Sequence, residues 1–325
     1  MMEYTHSGLL EQAINAVVAR QPKSVFFVAC GGSLAYMYNQ QYMLDVETDL
    51  PTAVINSNEF IHRNPKLLGE NSLVITCSHS GDTPETVAAT KFARERGALT
   101  VAYTHRADSP LWKSADFALH YDWGEGSDAY ENRSGMALRF IFGFLNAFKP
   151  GSTYQHALDS VKNLGDIFDA NITKFKDRAD HFGKIHKRDS IIYTLGSGPI
   201  YGDAYSFTAC LLQEMLWVHS NAIHSGEFFH GPFEITDFDV PFLLTKTYGQ
   251  MRPLDERAHA FLEKYSERLT IIDAQEFDWG GIKEEVRQFF AAPIFGAVLR
   301  AYAEQLSFHR GHPLSVRRYM WRVEY

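Results

Sequence analysis

Three hydroxyls, a glycine and an acid follow one apolar run. Val74-Ile75-Thr76-Cys77 leads into Ser78-His79-Ser80-Gly81-Asp82-Thr83, and Pro84-Glu85 then open a helical pattern. Where a buried strand feeds a helix, backbone N–H groups lack intrahelical partners, and the helix dipole makes them attractive to anions. Serine and threonine hydroxyls supply further donors for phosphate oxygens. A second loop of this kind, Gly31-Gly32-Ser33, follows the run 24–30. Together the loops predict a phosphate monoester held by neutral donors, since residues 74–87 contain no lysine or arginine. The competing reading is that Ser and Thr only cap a helix. Neither G-x-G-x-x-G nor G-x-x-x-x-G-K-[ST] occurs, which weakens dinucleotide and nucleoside triphosphate binding.

A second group of reactive residues lies in "ACLLQEMLWVHSNAIHSGEFFHGPFEI", 209–235. Taken as a helix, it puts Phe207, Leu211, Glu214 and Val218 on one face. One carboxylate on an apolar stripe is costly unless it has a partner or a raised pKa. A raised pKa suits a base that takes a carbon-bound proton near neutral pH; a partnered structural acid is the alternative. Downstream, "GEFFHGP" sets His230 between aromatics and a Gly-Pro turn. A histidine there is either a structural group or an acid held in a fixed direction.

The elements that must position these groups form an α/β chain. Runs 24–30, 52–57, 72–77, 99–104 and 117–123 read as strands, with helical segments between most of them. Such alternation predicts a parallel sheet covered on both faces. The segment 151–188 is polar and helical in pattern. Then "DSIIYTLGSGPIYGDAYSF" (189–207) echoes "KSVFFVACGGSLAYMYNQQ" (23–41), and 240–247 and 268–274 supply further strands. The prediction is two tandem parallel-sheet domains related by an internal repeat: 1–150 with the phosphate loops, a helical connector 151–188, and 189–325 with the catalytic segment and tail. The second copy lacks a hydroxyl cluster like Ser78-Ser80-Thr83.

With 325 residues there is room for two domains. A net charge of −8 argues against a nucleic-acid partner. Cys30, Cys77 and Cys210 are scattered and odd in number, which favours a reducing cytoplasm over disulfides or zinc. Met1–His6 lack the start of a signal peptide, and no apolar run is long enough to span a bilayer.

The motifs resemble those of two-domain sugar isomerase (SIS) proteins. Gly31-Gly32-Ser33 and Ser78-Thr83 match the family's phosphosugar loops, and "LLQE…GEFFHGP" matches the segment with catalytic Glu and His in the isomerase half of glucosamine-6-phosphate synthase. "FVACGGS", "NEFI", "SHSGDTPETV", "HSGEFFHGPFEI", "DERA" and "RRYMWRVEY" are most similar to the bacterial fructosamine-6-phosphate deglycases. The resemblance implies Glu214 as base, His230 as the acid for ring opening, and Ser33, Ser78, Ser80 and Thr83 with the His79 backbone around the 6-phosphate. Gly32 and Glu227, within the matching stretches, are further candidates for substrate contact. So are Arg317 and Arg318, if the tail folds over the sugar as in related enzymes; the alternative is that Tyr319, Trp321 and Tyr325 pack a dimer.

The activity so implied is hydrolysis of a fructosamine 6-phosphate, foremost fructoselysine 6-phosphate, to glucose 6-phosphate and an amino acid. It needs no metal or organic cofactor, and it takes place in a cytoplasmic homodimer whose sites are shared between subunits. Leu211 stands where the synthase has a lysine, and no glutamine-hydrolysing domain precedes residue 1, so a synthase role is poorly supported. The alternatives are a ketose–aldose isomerase, an amino-sugar-phosphate deaminase, or a non-catalytic phosphosugar sensor. Asp122, Glu125 and Asp128 are the acids considered for an amino acid ammonium.

Overall fold

The computed structural model describes residues 6–124 and 126–324. The signal-peptide reading of 1–5, Glu125 and Tyr325 therefore lie outside the described residues. No described helix is long and apolar enough to cross a membrane.

The chain divides into two compact units, 1–165 with 281–286, and 166–280 with 287–325. In the first unit, β1 (Ser24–Ala29), β3 (Ser72–Cys77) and β4 (Leu99–Thr104) are buried along their whole length. They form the centre of a parallel five-stranded sheet flanked by β2 (Thr52–Asn56) and β5 (Phe117–His120), in the order β2-β1-β3-β4-β5. Continuous apolar runs are what a doubly covered parallel strand requires. On one side Phe26, Val28, Ile55, Phe60 and Val74 form a core with Ala89 and Ala93 of the helix Pro84–Glu95. Asn56 ends β2 and caps the next helix, its side-chain oxygen accepting from the N–H groups of Asn58 and Glu59. The strand expected over 117–123 stops at His120.

The second unit repeats the plan with four parallel strands: β6 (Ile191–Gly196), β7 (His219–His224), β8 (Phe242–Lys246) and β9 (Leu269–Asp273). Their order, β7-β6-β8-β9, matches that of the first four strands of the other sheet. Leu195, Ile223, Phe228, Phe242, Leu244 and Leu262 make its core, with edge-to-face contacts of Phe228 and Phe229 against Phe261.

One element differs from expectation. Residues 207–218 do not form one α-helix. An α-helical turn, Tyr201–Ser206, runs into a π-helix, Phe207–Met215, and the Leu216 N–H donates to the Leu211 carbonyl five residues back. Trp217 then takes a left-handed φ of 56° and breaks the helix, so Val218 belongs to the entry into β7 and not to the helix face. The strand itself escaped the sequence reading. At the edge of the sheet only Ile223 is fully buried, and "HSNAIH" lacks an apolar run.

Candidate active site

In the first unit the two predicted loops stand at the carboxyl ends of β1 and β3, the place where parallel sheets bind ligands. Gly31 has φ +53° and opens the helix Gly31–Glu47; Cys30 before it makes no side-chain cap. Ser33 is in the first turn, and its N–H donates to the Cys30 carbonyl. In the second loop Thr83 holds the cap position of Pro84–Glu95, yet its hydroxyl does not cap the helix. It meets the Ser78 hydroxyl at 2.8 Å. Ser78 Oγ also accepts the Gly81 N–H, and Ser80 Oγ accepts that of Asp82. The hydroxyls thus shape the loop and leave the helix end uncapped by side chains. Gly81 is obligatory: φ is +70°, and a Cβ would lie 2.1 Å from Ser109 Oγ.

His79 brings a side chain as well as a backbone to this place. Its ring stacks on His105 at 5.1 Å, meets Trp123 edge-on at 4.9 Å, and holds the Tyr121 hydroxyl through Nδ1 at 3.0 Å. Desolvation by these neighbours, with the charges of His105 and Arg133, lowers its pKa to about 4, so the ring is neutral at pH 7. Arg133 was not foreseen. It begins the helix Arg133–Phe148, lies over the Tyr36 ring at 4.5 Å, and its charge acts on both His79 and Cys77. A cation brought from another element therefore adds to the neutral donors that 74–87 supplies. Nearby, Arg106 pairs with Asp82 at 2.6 Å. Asp122 bridges to Asn132, and Asp128 accepts the Tyr130 N–H.

In the second unit, Glu214 sits half-buried near the end of the π-helix. Its Oε1 pairs with Arg317 Nη2 at 2.8 Å. Burial raises its pKa above the usual carboxylate value, and Arg317 opposes that rise by charge and hydrogen bond. The sequence alternatives, a partner or a raised pKa, hold together. The pair walls a cavity of about 440 Å³ with Trp217, His219, Arg318 and Tyr319. The tail is thus folded beside Glu214, while its aromatics Tyr319 and Trp321 stay largely exposed.

His230 and Glu227 lie on the turn after β7, both exposed, with the His230 N–H donating to the Glu227 carbonyl. His230 is not among the walls of the Glu214 cavity. Hydroxyls also gather in this unit, from separate strand ends. Ser225 Oγ donates to Asp255 Oδ1 at 2.6 Å, and the Thr247 N–H donates to Oδ2 at 2.8 Å, with Ser197 also beside the carboxyl. Asp255 is fully buried, and burial raises its pKa to about 6. An acid side chain thus occupies the strand ends of the second sheet. A motif search along the chain misses it because each hydroxyl comes from a different loop. Among the described residues no group of three or more His, Cys, Asp or Glu is arranged to hold a metal ion.

The SIS-domain profile matches residues 19–139. Fructosamine deglycase FrlB of Bacillus subtilis is 46% identical over 93% of this chain and 92% of its own length. Fructoselysine 6-phosphate deglycase of Escherichia coli K12 is 27% identical over 96% of this chain and 89% of its own. A solved B. subtilis structure described as a phosphosugar isomerase superposes with a TM-score of 0.93 at 43% identity, covering 98% of this chain and all of that one. The chain belongs to the SIS family, and within it to the fructosamine deglycases.

Proposed function

We propose that the protein hydrolyses fructosamine 6-phosphates, foremost fructoselysine 6-phosphate, to glucose 6-phosphate and the free amino acid. In a chain of this family, the observation that carries the chemistry is Glu214: a carboxyl half-buried in a cavity, its pKa raised by burial, its direction fixed by Arg317. That is the state a base needs to remove a proton from carbon near neutral pH.

The roles divide between the domains at 1–150 and 189–325, joined by the connector 151–188. Ser33, Ser78, Ser80 and Thr83, with backbone donors at Gly32 and His79, take the 6-phosphate. Binding energy at that remote group then orients the reacting carbons. His230 protonates the ring oxygen as the ketose opens, with Glu227 beside it on the same turn. Glu214 removes a proton from C1, giving the enaminol. A proton returned to C2 leaves an imine at C1, and water splits it into the aldehyde and the amine. His230 serves a site of the neighbouring subunit in a homodimer, and the enzyme works in the cytoplasm.

Release of glucose 6-phosphate, followed by a coupled dehydrogenase, tests the reading on fructoselysine 6-phosphate and fructose-asparagine 6-phosphate. Glucosamine 6-phosphate is run beside them in the presence of a phosphoglucose isomerase, because a deaminase releases fructose 6-phosphate and ammonia. Turnover of an Amadori phosphate is the expected result. Turnover of glucosamine 6-phosphate alone would make the protein a deaminase, and saturable binding without any product would make it a sensor.

A further inference from the structure

The cavity beside Glu214 holds one cation more than it has acids to match. Among the described residues that line it, the one carboxylate, Glu214, is taken by Arg317 at 2.8 Å. Arg317 is 8% exposed and spends Nη1 on the carbonyls of Leu314 and Val316, at 2.7 and 3.0 Å. Its charge is matched and its donors are turned into the protein.

Arg318, the next residue, stands differently. It is exposed, and its guanidinium carbon lies 4.0 Å from the centre of the Trp217 ring. Among the described residues it pairs with no carboxylate. The shelf beneath it is held in place. Trp217 keeps a left-handed φ of 56°, costly for a bulky side chain, and packs edge-to-face on His312 at 4.5 Å. A guanidinium stacked on an aromatic face keeps its in-plane N–H groups for a second partner, and their fork matches a carboxylate bidentately.

We infer that Arg318 recognises the carboxylate of the amino acid part of the substrate, and so selects Amadori products of amino acids over those of simple amines. This rests on the deglycase reading and adds what that reading leaves open, the feature recognised beyond the sugar. Among the described residues of this cavity a substrate ammonium finds no unmatched acid, whereas a carboxylate finds an unmatched, preoriented cation. The same guanidinium chemistry would serve a phosphate, and the experiment separates the two anions.

The test compares fructoselysine 6-phosphate with its counterpart made from pentane-1,5-diamine, which is lysine less its carboxylate. The unaltered protein is expected to favour the former by about 10- to 100-fold in kcat/KM, chiefly through KM, the range of a charge-assisted hydrogen bond. Arg318→Gln abolishes that preference and Arg318→Lys retains part of it, with melting curves confirming that both variants fold. A preference that survives Arg318→Gln overturns the inference. So does a KM that rises equally on both substrates, which would place the phosphate at Arg318. Glucose 6-phosphate released from neither substrate by the unaltered protein would overturn the deglycase reading and this inference together, whereas the first two results leave the deglycase standing.

Discussion

Burial of Glu214 and the charge of Arg317 have opposing effects on one proton. Burial raises the carboxyl's pKa and the guanidinium restrains the rise. A base works deprotonated, so activity falls as pH drops through its pKa. Arg317→Met removes the restraint, and the acid limb of the kcat/KM profile is expected to move to higher pH; an unmoved limb would separate Arg317 from the base. In the first unit, Ser78→Ala leaves the Gly81 N–H without its hydroxyl acceptor and deprives Thr83 of its partner. The expected cost is about 1–3 kcal/mol of stability, read from denaturant unfolding, with a raised KM for the phosphosugar. At this scale the sequence was legible where one residue was odd in its surroundings, as Glu214 is in an apolar segment and Gly81 is in a hydroxyl loop. Partners were not legible when other elements supplied them: Arg317 reaches Glu214 from the tail, and Arg133 reaches His79 from a helix after β5. No local pattern encodes such a meeting.

Strands were legible where they carry an apolar run, whether fully buried like β1, β3 and β4 or only partly buried like β2 and β9. The strands β1, β3 and β4 announce themselves because both faces are covered and every position is apolar or small. The edge strand β7 carries no such run, and a period of 3.6 misplaces Val218 once the helix has widened to π geometry at 207–215. Buried Asp255, which ties β7, β8 and the helix Arg252–Tyr265 together, gives the second sheet a pH dependence of its own. Its folded pKa of about 6 lies above the ordinary 3.8, so its contribution to stability is full below the lower value and is lost as pH rises through the upper. The loss amounts to about 3 kcal/mol. Accordingly, the melting temperature of the unaltered protein relative to Asp255→Asn is expected to decline between pH 4 and 7. A constant difference would mean that the carboxyl stays ionised throughout.

On the scale of the whole molecule, the repeat was legible from the two Gly-Ser loops, and the matching strand orders β2-β1-β3-β4 and β7-β6-β8-β9 carry it through both sheets. The division of labour was less legible, because the second sheet's hydroxyls come from separate loops and close on Asp255. His230, exposed on its turn and absent from the Glu214 cavity, fits a group that acts in a neighbouring subunit's site. If so, Glu214→Gln and His230→Asn, each inactive alone, should complement when co-expressed, since a mixed dimer retains one intact pair. Random assortment in a two-fold dimer predicts recovery of about a quarter of full activity; no recovery would put both groups in one subunit. The account as a whole stands on Glu214 as the base, and its most direct test is turnover of fructoselysine 6-phosphate by Glu214→Gln beside calorimetric binding of the same substrate. The expected result is a kcat lowered by about 10²- to 10⁴-fold with affinity nearly unchanged. A variant that still releases glucose 6-phosphate at close to the original rate would contradict it.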